Sequence, residues 1–255
     1  SVEIISAPFQ NLNFNTKFDL IYCIGVFEYS QSFVNSPSPY QTVLSHFSEM
    51  LSENGILVLA IENQFGLKYF NAATEDHLGV PYIGLEGYHR QPNKVKTFGK
   101  IEIDKLIKKH FRTTNFYYPY PDYKIPDCVL SEPFVHSGKA AELISQIRSI
   151  DHASSKYAGL WNEAAVTFEL ARNNMLDFFA NSFLIIAGKN NLPHDIFEQQ
   201  GILYSSSRKK CFSTTTTIQN DTDGKLIVHK QPNSPSGSNN SVVKGKLTLR
   251  HTQSD

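Results

Sequence analysis

Two short apolar runs separated by a helical pattern dominate the first 65 residues. Residues 19–25 (Asp-Leu-Ile-Tyr-Cys-Ile-Gly) and 55–61 (Gly-Ile-Leu-Val-Leu-Ala-Ile) are nearly continuous apolar runs, which is typical of parallel strands covered on both faces. Between them, residues 40–52 carry apolar side chains at helical spacing, and Asn54-Gly55 provides a stop signal for a helix. The pattern predicts two parallel strands joined by a crossover helix.

The rest of the chain continues this alternation and predicts an α/β fold. Residues 62–96 lose periodicity and are rich in glycine and proline, which predicts a long loop at the carboxyl end of a strand, where open α/β sheets bind ligands. We expect further strands over 2–5, 113–118 and 181–188, helices over 100–111, 139–150 and 160–179, and a hairpin with arms at 211–219 and 225–230.

The same pattern predicts how the chain is divided. Residues 1–191 form a first domain with a helical insertion, and 192–231 form the β-rich start of a second domain. Residues 232–255 are predicted to be a disordered tail because serine, asparagine, proline and glycine dominate the start of this segment. Since the chain opens directly on a strand pattern, we expect a preceding segment of the first domain to be missing.

Composition excludes several classes of protein. The 255 residues include 24 basic and 24 acidic side chains, so a nucleic-acid partner bound through a broad basic field is not expected. No apolar stretch reaches the roughly 18–20 residues of a membrane-spanning helix, and no secretory signal is visible. Three cysteines without CxxC spacing indicate a reducing compartment, and we expect a cytoplasmic location.

Several segments carry a resemblance to a known family. Residues 18–29 (Phe-Asp-Leu-Ile-Tyr-Cys-Ile-Gly-Val-Phe-Glu-Tyr) resemble the fourth strand of class I S-adenosylmethionine-dependent methyltransferases, and residues 54–61 look like their fifth strand. Together, other segments resemble a bacterial subgroup found in surface-polysaccharide and lipopolysaccharide biosynthesis: 60–69, 75–77, 86–88, 97–98 and 116–124. The similarity extends over residues 1–190.

This resemblance implies a Rossmann-like methyltransferase sheet, S-adenosylmethionine as cofactor and a glycan or glycan-phosphate acceptor methylated on oxygen. It also implies peripheral association with polysaccharide assembly machinery. The glycine-rich first loop of the family and the acidic residue that holds the cofactor ribose are absent, which implies that the first strand, first helix and second strand are missing. The alternative function is therefore a non-catalytic docking module of a polysaccharide assembly complex.

A second, weaker resemblance involves the C-terminal hairpin. Residues 208–230 look like the start of a protein-kinase-like amino lobe, in which Lys230 would stand where such lobes grip nucleotide phosphates. No HRD or DFG signature follows. The alternative is a solvated hairpin with a surface lysine.

The family resemblance also assigns cofactor-binding residues. Ala7, Pro8 and Phe9 follow the first strand pattern where the family contacts adenine, and the alternative for Phe9 is ordinary core packing. Cofactor contacts are also implied at the end of the next strand, where Gly25 would allow close approach to the methionine portion and is followed by Val26 and Phe27. The alternative there is an ordinary strand end.

The catalytic candidates are ionisable residues that follow the predicted strands. His77 is the candidate general base because the ordinary pKa of histidine, about 6.5, is close to neutral pH. Glu62 and Glu28 could orient the acceptor or take its proton. For Glu62 the alternative is a capping role, and for His77 it is an exposed loop position.

The remaining candidates are expected to bind the acceptor: Tyr29, Asn63, Lys68, Asp76 and Arg90. For the charged residues in this set the alternative is solvated surface charge. No metal site is predicted, because one histidine beside two acidic residues lacks a recognised ligand spacing.

Overall fold

The computed structural model describes residues 3–89, 95–149, 159–190, 192, 199–205, 209, 212–233 and 243–246. These residues form one sheet in the order β1-β2-β5-β3-β4-β6-β7-β8-β9. The strands are β1 Phe18–Ile24, β2 Leu51–Glu62, β3 Thr113–Tyr120, β4 Cys128–Ser131, β5 Ser182–Gly188, β6 Gln199–Tyr204, β7 Thr214–Asn220, β8 Leu226–Pro232 and β9 Val243–Lys246.

Helices cover the sheet and connect its strands. They are α1 Ser30–Phe33, α2 Pro39–Met50, α3 Leu67–Phe70, α4 Lys100–Ile107, α5 Glu132–Val135, α6 Ala140–Ile144, α7 Glu163–Arg172 and α8 Leu176–Phe179, with 3₁₀ turns at Phe9–Asn11 and Phe27–Tyr29. Among the described residues, no helix combines the length and the apolar character needed to cross a membrane. The α/β class predicted from the pattern is confirmed.

The predicted crossover unit is confirmed and organises the core. β1 and β2 are parallel neighbours, with Tyr22 opposite Val58 and Ile24 opposite Ala60. α2 begins with proline in its first turn, where a backbone N–H would have no acceptor within the helix, so proline loses no hydrogen bond there. Its apolar face is buried, together with leucine and isoleucine side chains of β2. Burial of each such side chain contributes about 1.5–3 kcal/mol.

The other strand pairs are antiparallel. β5 lies between β2 and β3 and runs opposite to both, and β4 continues the sheet from β3. This arrangement places the ends of three central strands at one edge: the carboxyl ends of β1 and β2 lie beside the start of β5. The long loop after β2 and the segment after β3 both return to this edge, where His77 contacts Glu28 and Tyr123 contacts Glu62.

Several predicted elements differ from those observed. Residues 3–5 are not in a strand, and Ile4 is 91% exposed, because an extended segment needs a hydrogen-bonded neighbour and the described residues supply none there. The helix predicted over 160–179 is broken into α7 and α8, with Asn174 between them in the left-handed region at φ +55°. Asparagine tolerates that conformation better than most residues. α4 and α6 are shorter than predicted.

The C-terminal strands extend the same sheet. The hairpin predicted from residue 211 is present as β7 and β8, and β6 pairs with β4, so the sheet runs across the predicted boundary at residue 191. β9 pairs with β8 inside the segment predicted to be a disordered tail. The division into domains stays a prediction. Lys230, the candidate phosphate-gripping lysine, is exposed in β8.

Candidate active site

Gly25 and Glu62 lie at the carboxyl ends of the two parallel strands and flank one crevice. The backbone N–H of Gly25 donates to the carbonyl oxygen of Ala60 in β2 at 3.0 Å. Gly25 has φ +62°, and a Cβ atom there would lie 2.5 Å from the Tyr123 hydroxyl oxygen. That same hydroxyl donates to Glu62 Oε1 at 3.3 Å. Glycine is therefore required by both backbone conformation and space.

A buried cluster of acidic side chains surrounds His77 at this edge. His77 Nδ1 is 2.8 Å from Glu75 Oε1, and its Nε2 is 3.3 Å from Glu28 Oε1 and 3.9 Å from Glu62 Oε2. Glu28 follows β1, Glu62 ends β2, and residues 75–77 belong to the loop after β2. The backbone N–H groups of His77 and Leu78 donate to Glu75 Oε2 and fix this loop.

The three residues predicted to be catalytic therefore meet at one place. Glu28 and Glu62 are almost completely buried, and the His77 side chain is 6% exposed. The structure thus excludes the alternative of a solvent-exposed loop histidine. Glu75, which was not among the predicted site residues, holds the second ring nitrogen of His77 and so sets its orientation.

The electrostatics of the cluster change the role expected for His77. Burial alone would lower the pKa of His77, but hydrogen bonds to Glu28 and Glu75 and the charge of Glu62 raise it to about 10. Burial raises the pKa of Glu62, although Lys124 and His77 oppose this. Three carboxylates around the ring thus hold the pKa of His77 above its ordinary value, which favours a protonated ring over a general base at neutral pH.

Lys68 and Asp76 belong to an internal ion network rather than to an open acceptor surface. The ammonium of Lys68 is fully buried, 3.0 Å from Asp76 Oδ1 and 3.2 Å from Asp122 Oδ2. Lys124 contacts both Asp76, at 2.8 Å, and Glu62 Oε1. Burial tends to raise the pKa of Asp76, but Lys68 and Lys124 hold it below its ordinary value. The alternative of solvated surface charge is wrong for Lys68.

The other predicted acceptor residues differ in how accessible they are. The Asn63 side chain is saturated: its Nδ2 donates to the carbonyl oxygens of Phe178 and Ala180 at 2.7 Å each, and its Oδ1 accepts from the Phe65 N–H. It therefore anchors the end of β2. Tyr29 is 37% exposed, and its ring meets the His77 ring edge-on at 5.1 Å. Arg90 lies outside the described residues.

The residues predicted to contact the cofactor are distributed along the edge of β1. Phe9 packs against Phe47 of α2, with ring centroids 5.0 Å apart, and Phe27 is buried against Tyr40. Val26 is about half exposed. Ala7 and Pro8 are exposed in the segment that leads to the first 3₁₀ turn.

Three of these residues, Phe9, Val26 and Phe27, line a cavity of about 620 Å³. Its wall is largely apolar, and the Ser30 hydroxyl in that wall already donates to the Phe27 carbonyl oxygen. Within the described part of the chain, the wall contains no carboxylate that could hold ribose hydroxyls. The cavity therefore fits the apolar face of an adenine ring but does not by itself fit a whole S-adenosylmethionine.

Asp122, Tyr123 and Lys124 were missed as site residues. They follow β3 and reach Lys68, Gly25 and Glu62 across 54 to 98 positions of sequence. The signal for them is the polar interruption of an aromatic, proline-rich run, Tyr-Pro-Tyr-Pro-Asp-Tyr-Lys, at residues 118–124. Polar residues after a strand are candidates for the edge where the site lies.

No protein-family model matches the chain, and no curated protein matches it. A solved complex of the Haloferax volcanii Trm112 methyltransferase activator with a methyltransferase is similar at 11% identity and TM-score 0.36, covering 74% of this chain and 61% of the matched chain.

Two further solved structures show the same level of similarity. One is a SAM-dependent methyltransferase from Thermotoga maritima, at 14% identity and TM-score 0.34, covering 70% of this chain and 60% of the matched chain. The other is PKMT2 from Rickettsia typhi, at 10% identity and TM-score 0.30, covering 76% of this chain and 40% of the matched chain. This chain spans about three fifths of the first two matched chains.

Proposed function

We propose that this chain is part of an S-adenosylmethionine-dependent methyltransferase that methylates an oxygen of a glycan or glycan phosphate. The observation that carries the proposal is the meeting of Glu28, Glu62 and His77 at the carboxyl ends of two parallel strands. A crevice at this edge is where open α/β sheets bind their ligands. The apolar cavity beside it would take the adenine ring.

The bound cofactor would supply a methyl group on a positively charged sulfur. Transfer to a hydroxyl group needs the acceptor oxygen in line with that methyl group and a base near its proton. Glu62 Oε2 accepts no hydrogen bond among the described residues, so it is the oxygen available to take the proton. His77, oriented by Glu75, lies 3.9 Å from that oxygen and stabilises the carboxylate.

The acceptor class is supported by the half-open aromatic side of the cluster. The ring of Tyr29 is 37% exposed and meets the His77 ring edge-on at 5.1 Å. Exposed rings of this kind can pack against the apolar faces of sugars. The specific choice of a glycan rests on the sequence resemblance.

Calorimetric titration with S-adenosylmethionine tests the proposal, on this chain and on a version extended upstream of Ser1. We expect binding by the extended version. In that version, His77→Ala should lower kcat by about 10²-fold or more while the cofactor Kd changes less than about threefold. Glu132→Gln, in a separate ionic cluster, is the matched control and should change neither value. An unaltered kcat in His77→Ala would remove this residue from the mechanism.

A docking module is the second candidate, and one observation favours it. The open edge of β1 exposes apolar side chains beside the cavity, including Tyr22 at 66% and Ile24 at 46%. Exposed apolar patches next to a groove are typical of protein contacts. Failure of both versions to bind S-adenosylmethionine would leave this candidate and overturn the methyltransferase proposal.

A further inference from the structure

The cluster around His77 has the spacing of a ligand set for one cation. One ligand atom from each of Glu28, Glu62 and His77 lies within 4.8 Å of the other two. His77 Nε2 is 3.3 Å from Glu28 Oε1 and 3.9 Å from Glu62 Oε2. Because carboxylate and imidazole ligands bind at about 2.0–2.2 Å, two ligands of one cation lie roughly 3–4.3 Å apart. Both distances from His77 fall in that range.

A second observation points to a missing partner. Glu28 Oε2 and Glu62 Oε2 are both buried, and neither has a hydrogen-bond partner among the described residues. Glu28 and Glu62 are 1% and 0% exposed. A buried carboxylate oxygen without a partner is costly. Lys124 approaches Glu62 through the other oxygen, Oε1, so the free oxygen of Glu62 lies on the side of His77.

The charges of the side chains around the site also indicate a missing cation. Five carboxylates meet in the network: Glu28, Glu62, Glu75, Asp76 and Asp122. Two lysines contact them: Lys68 lies against Asp76 and Asp122, and Lys124 lies against Asp76 and Glu62. Within the described part of the chain, neither Glu28 nor Glu75 has a lysine or arginine partner, and both contact His77 instead. Buried charge of this kind is normally paired or bound to a metal.

We propose that Glu28, Glu62 and His77 bind one divalent first-row transition cation, with Mn²⁺ as the representative ion. Two carboxylates and one imidazole match the donor preferences of such ions better than those of Ca²⁺ or Mg²⁺, which prefer oxygen ligands alone. Glu75 holds His77 Nδ1 at 2.8 Å, and a carboxylate on the far nitrogen is the usual support of a ligating histidine. Cation binding does not require methyl transfer, but it would occupy Glu62 Oε2, so a chain that holds the cation could not use that oxygen to take the acceptor proton.

A second cluster on the same protein provides a matched contrast. Glu132, His136 and Asp177 also lie within ligand spacing of one another. There, however, Lys100 contacts Glu132 at 2.7 Å and also contacts Asp177. The ammonium of Lys100 therefore already bridges the two carboxylates, although Asp177 Oδ1 is buried without a hydrogen-bond partner among the described residues. We expect this second cluster to bind no cation.

Titration of MnCl₂ into the chelator-treated chain, without S-adenosylmethionine, tests the inference. Free Mn²⁺ is measured by its electron paramagnetic resonance signal, and the thermal unfolding midpoint is measured in parallel. We expect one bound ion per chain and a midpoint that rises with Mn²⁺ concentration. Mg²⁺ and Ca²⁺ at the same concentrations should give a smaller rise.

Variants identify the ligands. Glu28→Gln keeps the shape of the side chain and should weaken Mn²⁺ binding at least tenfold, whereas Glu132→Gln should leave it unchanged. His77→Ala is the second ligand variant, and circular dichroism establishes that each variant is folded. The inference is overturned if the wild-type chain binds no Mn²⁺ at millimolar concentration, or if Glu28→Gln and His77→Ala both bind it as tightly as wild type. Loss of binding in Glu132→Gln alone would place the ion in the other cluster.

Discussion

Replacement of Lys68 by methionine should destabilise the fold far more than loss of an ordinary ion pair. The Lys68 side chain is fully buried, and its ammonium contacts Asp76 and Asp122, whose side chains are 4% and 1% exposed. Asp76 keeps Lys124 as a partner. Asp122 keeps the backbone N–H of Lys124, at 2.9 Å, and the longer-range attraction of the Lys124 ammonium, but no ion pair in direct contact among the described residues. Lys68→Met would leave Asp122 as a buried charge without its cation.

The expected loss follows from that uncompensated charge. Removal of one partner from a buried pair costs about 3–5 kcal/mol. For a chain of this size the dependence of unfolding free energy on urea is about 3 kcal/mol per molar, so the midpoint of urea unfolding should fall by about 1–2 M. The control is Lys96→Met. The Lys96–Glu102 pair has side-chain exposures of 35% and 47%, and its loss should cost less than about 1 kcal/mol.

A double variant separates charge from packing. If the penalty is the unpaired carboxylate, Asp122→Asn should restore part of the stability lost in Lys68→Met, because both members of the pair are then neutral. Urea unfolding followed by circular dichroism measures all three variants. Equal midpoints for Lys68→Met and Lys96→Met would refute the reasoning, as would a double variant that is less stable than Lys68→Met.

Two further predictions concern local packing. Gly25→Ala should lower the free energy of unfolding by more than the roughly 1–2 kcal/mol of left-handed backbone strain, because its Cβ would lie 2.5 Å from the Tyr123 hydroxyl oxygen. In a Tyr123→Phe background the loss should fall towards that strain alone. Equal losses in the two backgrounds, measured in a double-mutant cycle, would contradict the contact. Burial raises the pKa of the Cys128 thiol to about 12. At pH 8.5 the thiol should therefore resist iodoacetamide in the native state and react in denaturant, which mass spectrometry measures. Rapid labelling of the native protein would contradict this burial.

The central elements of the fold could be predicted because their signals are local. The apolar runs that become β1 and β2 are continuous, and α2 between them has a clear helical period. The break between α7 and α8 could not be predicted in the same way. It depends on the left-handed conformation of Asn174, and asparagine also occurs in helices, so the residue type alone does not decide.

The part of the site that could be predicted from the sequence is the part whose position is determined by the ends of strands. Two parallel strands bring Glu28 and Glu62 to one edge, and the loop after β2 carries His77 back to them. The burial of Lys68 depends on Asp122, which is 54 positions away. No local pattern encodes such a contact. A lysine that is solvated and one that is paired in the interior have the same sequence signature.

The network around Lys68 and His77 divides into two parts that differ in charge balance. In one part, Lys68 lies between Asp76 and Asp122 and is saturated by them. In the other, two carboxylate oxygens have no hydrogen-bond partner among the described residues. Lys124 joins the two parts through Asp76 and Glu62, and its side chain is 34% exposed. The partly exposed side chain of Lys124 therefore connects the part of the network that contains these two oxygens to solvent.

This asymmetry has a physical consequence for how the site responds to ligands. A cation or an acceptor hydroxyl that enters beside Lys124 meets carboxylates already fixed by Glu75, His77 and the end of β2, so little reorganisation is needed when it binds. The saturated part supplies the rigid support. In the cluster of Glu132 and Asp177, by contrast, one lysine, Lys100, contacts both carboxylates, and Asp177 Oδ1 is the one carboxylate oxygen there without a hydrogen-bond partner among the described residues. The unsatisfied oxygens of Glu28 and Glu62 are therefore best explained by a ligand.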